Sequence, residues 1–371
     1  MNTKLRQRAT TAKKRRGITL GNLALEMKQP AISQPGVANM KFIPHLPHMP
    51  GTRIFLVDNG SYEPAATLAL RGLAQEVGKL IGQEVRPVST MHSTKIGPAL
   101  LGGVPAVIFE GAVQQAKLEG IDEIVVIPLF IGPSRAITEY LPKVFADAQP
   151  GTMKLSIREP LFGPELQGML IDNLKSTGWT KGSGTVYLCD HGSPIPEVTR
   201  CRNFFASAIR TELGLKDDEL IACSMERREG AEYDFNEPLL EDALQQAKGE
   251  AVILMLFLLP GRHAGGDGDV ATIAKEHAPA GLRWKLSPLL GTHPALPALL
   301  SRRHLFSPAL KSTKMAAITA VIAMGLLPVL VGVLAPKDLG LGERLMIWLG
   351  GVAVIFTALF LFLRAKVWKK S

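Results

Sequence analysis

The chain has 371 residues, of which 46% are hydrophobic and 20% charged, which leaves room for two or three domains and excludes disorder over most of its length. The net charge of +9 does not describe a nucleic-acid-binding surface, because residues 1–45 and 301–371 each carry +8 while the body between them carries −7. Basic ends around an acidic body suit a membrane surface and exclude a nucleic-acid partner.

Residues 1–50 lack the apolar core that a secretory signal needs and are poor in Ser, so they read as a basic, disordered tail rather than a targeting segment. His45 and His48, in its Pro-rich end, are incidental. The three cysteines, Cys189, Cys201 and Cys223, form no C-x-x-C pair. They are too few for a disulfide framework or an iron–sulfur cluster, which points to a reducing compartment.

The body repeats itself. Asp58-Asn59-Gly60-Ser61 matches Asp190-His191-Gly192-Ser193, Leu129-Phe130-Ile131 with Arg135 matches Leu256-Phe257-Leu258 with Arg262, and Pro160-Leu161-Phe162-Gly163 matches Pro288-Leu289-Leu290-Gly291. These matches are collinear and nearly constant in offset, so the body divides into homologous halves, 51–176 and 183–303, joined by Ser176 to Gly184.

In chain order, Ile54 to Val57 is predicted as a strand, followed by a helix that aligns Leu70, Leu73, Ala74, Val77, Leu80 and Ile81, and then a strand at Ile124 to Ile127. The second half repeats this with a strand at Val186 to Leu188, a helix aligning Val198, Cys201, Phe205, Ala208 and Ile209, a segment Leu220 to Ser224, and a long apolar strand at Val252 to Leu259. Each half is therefore expected to be a doubly wound parallel α/β sheet, which binds ligands beyond the carboxyl ends of its strands. Beyond the body, residues 315–335 and 345–363 are uncharged and each long enough to span roughly 30 Å. Lys and Arg flank the pair on both sides. The expectation is a transmembrane hairpin with the body and both termini on the cytoplasmic side. No ionisable residue lies within either span, so the hairpin reads as an anchor rather than a transport path.

His191, Glu226 and His263 follow three strands of the second half along one sheet edge. Two imidazoles and a carboxylate can bind a divalent metal or can move protons, and spacing does not choose between these roles. Asp267 and Asp269, in a Gly-rich stretch, are candidates to cap the following helix. No P-loop or strand-linked G-x-G-x-x-G element occurs, so no nucleotide or other organic cofactor is expected.

The His-Gly-Ser element at 191–193, the Gly-Arg-His element at 261–263 and the Leu-Gly-x-His-Pro element at 290–294 together resemble the class II tetrapyrrole chelatases, the sirohydrochlorin cobaltochelatases and ferrochelatases. The resemblance implies two flavodoxin-like lobes closing around a tetrapyrrole. It also implies that His191 and His263 face the macrocycle and that Glu226 is the acidic residue between them. Cobalt or ferrous ion is then the metal substrate, held by His191, His263 and Glu226, while Arg262, Arg227, Arg228 and Ser193 contact the tetrapyrrole and its carboxylates. The first half departs from this pattern, with Asn59 and Ala136 where the two His should stand and His92 nearest the acidic position. It is expected to keep the fold without a site of its own, contributing shape and Arg135. His293 is expected to set a turn. The function implied is metal insertion into sirohydrochlorin or a related reduced tetrapyrrole. The alternative is a membrane-attached, non-catalytic protein that binds or delivers the tetrapyrrole or metal.

Overall fold

A computed structural model describes residues 51–305. The N-terminal tail and the expected hairpin at 315–363 lie outside the described residues, and among the described residues no helix is long and apolar enough to cross a membrane.

The first half contributes strands β1 (Thr52–Asp58), β2 (Val85–Ser89), β3 (Glu123–Pro128) and β4 (Lys154–Ile157), and helices α1 (Pro64–Ile81), α2 (Phe109–Leu118), α3 (Leu141–Asp147) and α4 (Pro164–Ser176). The second contributes β5 (Thr185–Asp190), β6 (Leu220–Ser224), β7 (Glu250–Met255) and β8 (Arg283–Leu286), with α5 (Pro196–Leu213), α6 (Leu240–Gln245), α7 (Asp269–His277) and α8 (Leu296–Leu305). Each set of strands forms an all-parallel sheet, ordered β2-β1-β3-β4 and β6-β5-β7-β8. The repeat seen in sequence is thus a repeat of topology. Pro opens both α1 and α5, where a missing N–H costs nothing, and both helices run 18 residues to a Gly.

Burial follows the pleat. On β1 and β3, Ile54, Leu56, Val125 and Ile127 join an inner core that continues into the second sheet through Val186, Leu188, Val252 and Leu254. Phe55, Val57, Ile124 and Val126 face outward into a separate cluster with Phe109, Val113 and Leu141. The second sheet likewise has its own outer cluster, in which Tyr187, Ile253 and Met255 meet residues of α6 and α7.

Sequence periodicity gave no sign that the last helix of each half crosses over. α4 packs on β7, whereas α8 packs on α1 and β3. The exchange is held by Asn173 donating to the Pro288 carbonyl at 3.1 Å, by Arg158 Nε donating to the His304 carbonyl at 3.1 Å, and by Arg303 donating to the Phe162 carbonyl at 3.1 Å. His293 sets the expected turn, its Nδ1 accepting from Ala295 N at 3.2 Å, and it also lies 3.6 Å from Asp172 of α4.

The apolar run 252–259 is not all strand. β5 ends at Asp190, so its pairing with β7 stops at Cys189–Met255, and residues 256–259 leave the sheet to line a cleft between the two sheets.

Candidate functional site

The cleft has a volume of about 520 Å³ and lies across the carboxyl ends of β1, β3, β5 and β7. Its second-half wall includes His191, Arg262 and His263, and its first-half wall includes Asn59, Tyr62 and His92.

His191 is the first residue after β5, at a turn that admits no side chain on Gly192. A Cβ there would stand 1.9 Å from the Glu226 carbonyl, at φ +91. This close approach brings the end of β6 against the end of β5, leaving Glu226 Oε1 3.4 Å from His191 Nε2. His191 Nδ1 lies 3.1 Å from the Gly192 carbonyl, which can only accept, so Nδ1 carries the proton and Nε2 presents a lone pair. An imidazole lone pair and a carboxylate facing each other can share a positive charge between them, either a proton or a metal ion. Two ligand atoms bound to one ion at about 2.1 Å in tetrahedral geometry stand about 3.4 Å apart, so the spacing fits either.

The His263 ring meets that of His191 edge to face, with centroids 4.6 Å apart and planes at 76°. His263 Nδ1 donates to Asp269 Oδ2 at 2.7 Å, which fixes the ring and, in the neutral imidazole, makes Nε2 the acceptor. The structure thus gives Asp269 a different task from capping: the N-cap of α7 is Gly268, and Asp269, in the first turn, orients His263. Asp267 is fully exposed and lies 3.8 Å from Lys275. Among the described residues no three His, Cys, Asp or Glu side chains close around a single point. The arrangement is an open pair, His191 and Glu226, with His263 alongside.

The expected tetrapyrrole contacts separate. Arg262 is exposed in the cleft wall, 3.4 Å from Asp269. The Arg227 guanidinium is committed to its own loop, donating to the Arg228 and Gly230 carbonyls and pairing with Asp234 and Glu237. Arg228 stacks over the Tyr233 ring at 5.8 Å. Ser193 organises the approach to α5, its hydroxyl accepting from Ile195 N and its backbone N–H donating to Asn236 Oδ1. In the first half Arg135 is exposed, lies outside the cleft lining and pairs with Glu139 one helical turn on.

Beneath His191 lies a buried polar network that sequence reasoning missed. Asp190 Oδ1 accepts from Gly192 N and Ser224 Oγ, and Arg202 Nη1 lies 3.6 Å from it while donating to Ser224 Oγ and the Asn236 carbonyl. Burial pushes the Asp190 carboxyl up, and the Arg202 charge opposes that. The available signal was an arginine, 1% exposed, on the apolar stripe of α5 between Cys201 and Phe205. In the first half the repeat offset places Leu70 at the Arg202 position, and the corresponding Asp58 is buried with Oδ1 lacking a partner. Without a counter-charge, burial raises its carboxyl to about 6. Gly60 presses on the Met91 carbonyl as Gly192 presses on that of Glu226, so Met91 rather than His92 holds the acidic position. Asn59, Met91 and Ala136 thus replace His191, Glu226 and His263.

Residues 185–305 match the CbiX family. The family match therefore falls on the second half of the chain. Among solved structures, SirB from Bacillus subtilis with Fe3+ superposes with a TM-score of 0.50 at 17% identity, covering 68% of this chain and 93% of that one. The chain is also similar to the sirohydrochlorin chelatase SirB from Bacillus subtilis subspecies spizizenii in complex with cobalt (TM-score 0.49, 17% identity, 68% and 94% covered). CbiX described as the terminal enzyme of siroheme biosynthesis in denitrifying bacteria matches with a TM-score of 0.48 at 19% identity, covering 68% and 97%. The SirB superposition shows the same fold over a span larger than the residues matched by the CbiX family. No curated protein sequence matches the chain.

Proposed function

We propose that the protein is a metal chelatase that inserts cobalt or ferrous ion into sirohydrochlorin or a related reduced tetrapyrrole, with the chemistry carried by the CbiX domain. The observation that carries this reading is the pair of facing acceptors, His191 Nε2 and Glu226 Oε1, 3.4 Å apart beside His263. The pair can take up a positive charge, and insertion supplies two kinds in turn: the metal ion arrives and the pyrrolic protons leave. His191 and Glu226 take the ion from water, holding it at an open site from which the ring nitrogens can displace them. His263, held by Asp269, accepts one pyrrolic proton at Nε2, His191 Nε2, once the ion has moved to the ring, accepts the other, and Arg262 pairs with a ring carboxylate. A two-point site binds an ion less tightly than a closed cage, which suits a substrate that must be handed on.

In this reading residues 51–176 form a lobe without a metal site, 183–303 form the catalytic lobe, and residues 315–363 anchor the protein in a membrane with the catalytic body and both termini cytoplasmic. A chain ended after Leu305 keeps α8 in its place on α1 and β3, so it should stay folded and active in the aqueous phase, while the full chain partitions into detergent. Loss of folding on this truncation would refute the anchor.

The function itself is tested by following the absorption spectrum of sirohydrochlorin with the full-length protein and cobalt or ferrous ion. Conversion to the metallated spectrum, faster than without protein, is expected. Spectral binding without metallation would favour the non-catalytic carrier instead.

A further inference from the structure

The first half has lost all three ligand positions, yet it presents its own constellation to the cleft. His92 is the central residue of a γ-turn, with φ 71 and ψ −45 and Ser93 N donating to the Met91 carbonyl at 2.9 Å. That conformation is rare and strained for a residue with a side chain, and glycine would hold it at no steric cost. The turn is pinned from both sides: before it, Thr90 N donates to the Asp58 carbonyl at 2.9 Å and Thr90 Oγ1 to the Asn59 carbonyl at 2.6 Å, and after it Ser93 Oγ donates to Ser89 Oγ at 2.8 Å. Strain kept at such a position, with the surroundings over-determining it, points to a use for the side chain.

The imidazole held there stacks on Tyr62, with ring centroids 4.8 Å apart and planes 35° from parallel. Tyr62 is 61% exposed, and both rings line the cleft whose other wall carries His191 and His263. The second half's ring pair in the cleft, His191 and His263, meets edge to face and is the proposed metal and proton site, so it does not offer a platform of this kind. The repeat offsets put Pro194 opposite Tyr62 and Arg227 opposite His92, and Arg227 is tied into its own loop. The aromatic pair is therefore particular to the half without metal ligands.

We propose that Tyr62 and His92 form a stacking platform for the flat, conjugated macrocycle, so that the first half holds the substrate while the second acts on it; this rests on the chelatase reading above. A pair of rings lining the cleft supplies dispersion and quadrupole contacts to a π face without competing for the metal. Tyr62 and His92 are positioning residues, and they should affect how tightly substrate binds more than how fast bound substrate reacts.

The experiment uses full-length protein and metal-free sirohydrochlorin, reading the Kd from the change in the macrocycle's fluorescence, together with KM and kcat for cobalt insertion. Tyr62→Ala should raise Kd and KM about five- to tenfold and change kcat less than about twofold. His92→Gly, which keeps the turn and removes the ring, should behave in the same way, and Tyr62→Phe should stay within about twofold of the parent. Thermal melts within a few degrees of the parent's show that the variants are folded. If Tyr62→Ala and His92→Gly bind sirohydrochlorin as the parent does, the platform is refuted while the chelatase reading stands. If the parent itself neither binds nor metallates sirohydrochlorin, the functional reading fails, and the platform with it.

Discussion

Asp269 offers a direct way to separate the orientation of His263 from its presence. Its carboxylate accepts from His263 Nδ1 at 2.7 Å, a charge-assisted bond short enough to fix both the ring's tilt and the tautomer that leaves Nε2 free. Removing such an outer partner costs about 10- to 100-fold in metal affinity or activity. Here both side chains are partly exposed, 34% for His263 and 40% for Asp269, so water takes over some of the role and the lower part of that range applies. Asp269→Ala should therefore slow metal insertion about 10- to 30-fold, roughly 1.4–2 kcal/mol in the barrier. The fold should survive, because a carboxylate in the first turn of a helix contributes only about 0.3–1 kcal/mol. Asp269→Asn keeps an acceptor oxygen without the charge and should lie between Ala and the parent. The neighbouring Asp267→Ala, which removes an exposed group, is the control and should not matter. The assay is single-turnover cobalt insertion followed by absorbance across pH, with substrate affinity measured separately. Insertion by Asp269→Ala at the parent rate, with unaltered affinity, would show that His263 does not act through this orientation.

Two further predictions concern the buried carboxylates. Arg202→Leu copies the first half and strands Asp190 in the core without its counter-charge, which should cost about 3–5 kcal/mol and lower the melting temperature by roughly 10 °C; a drop below about 2 °C would contradict the network's role. Asp58 titrates at about 6 in the folded protein against 3.8 ordinarily, so between those values the folded state holds a proton that the unfolded chain has released. Stability should then fall as pH rises through that window, by about 3 kcal/mol in all. Asp58→Asn removes that loss and should melt higher than the parent at pH 7.5 but not near pH 3.5, and an equal gap at both pH values would contradict the assignment.

Much of this molecule was readable in its sequence because the repeat supplied an internal comparison. Apolar runs ending at Asp58-Asn59-Gly60 and Asp190-His191-Gly192 located equivalent strand ends, and the difference between Asn59 and His191 marked which half carries an imidazole at that strand end. What stayed hidden depends on contacts that periodicity does not encode. The exchange of α4 and α8 leaves no local trace, since each helix is amphipathic whichever sheet it covers. Asp269 lies six residues from His263, within a Gly-rich segment whose path sequence does not specify, so a helix cap and a histidine partner were equally compatible with it. Arg202 was visible as a charge on an apolar stripe, but its partners Ser224 and Asn236 lie 22 and 34 residues away. Arg227 looked free for substrate because its own loop, folding back through Asp234 and Glu237, could not be foreseen.

The central claim is that the two halves have divided the work, with the proposed metal insertion confined to the half that matches the CbiX family. Single-turnover insertion of cobalt into sirohydrochlorin by His191→Ala and Asn59→Ala, in otherwise full-length folded protein, tests it most directly. His191→Ala should abolish insertion while still binding the macrocycle, and Asn59→Ala should lose no more than about tenfold, the loss of one hydrogen bond to substrate or loop. Equal collapse of both variants would contradict the division and place Asn59 within one composite site shared by the halves.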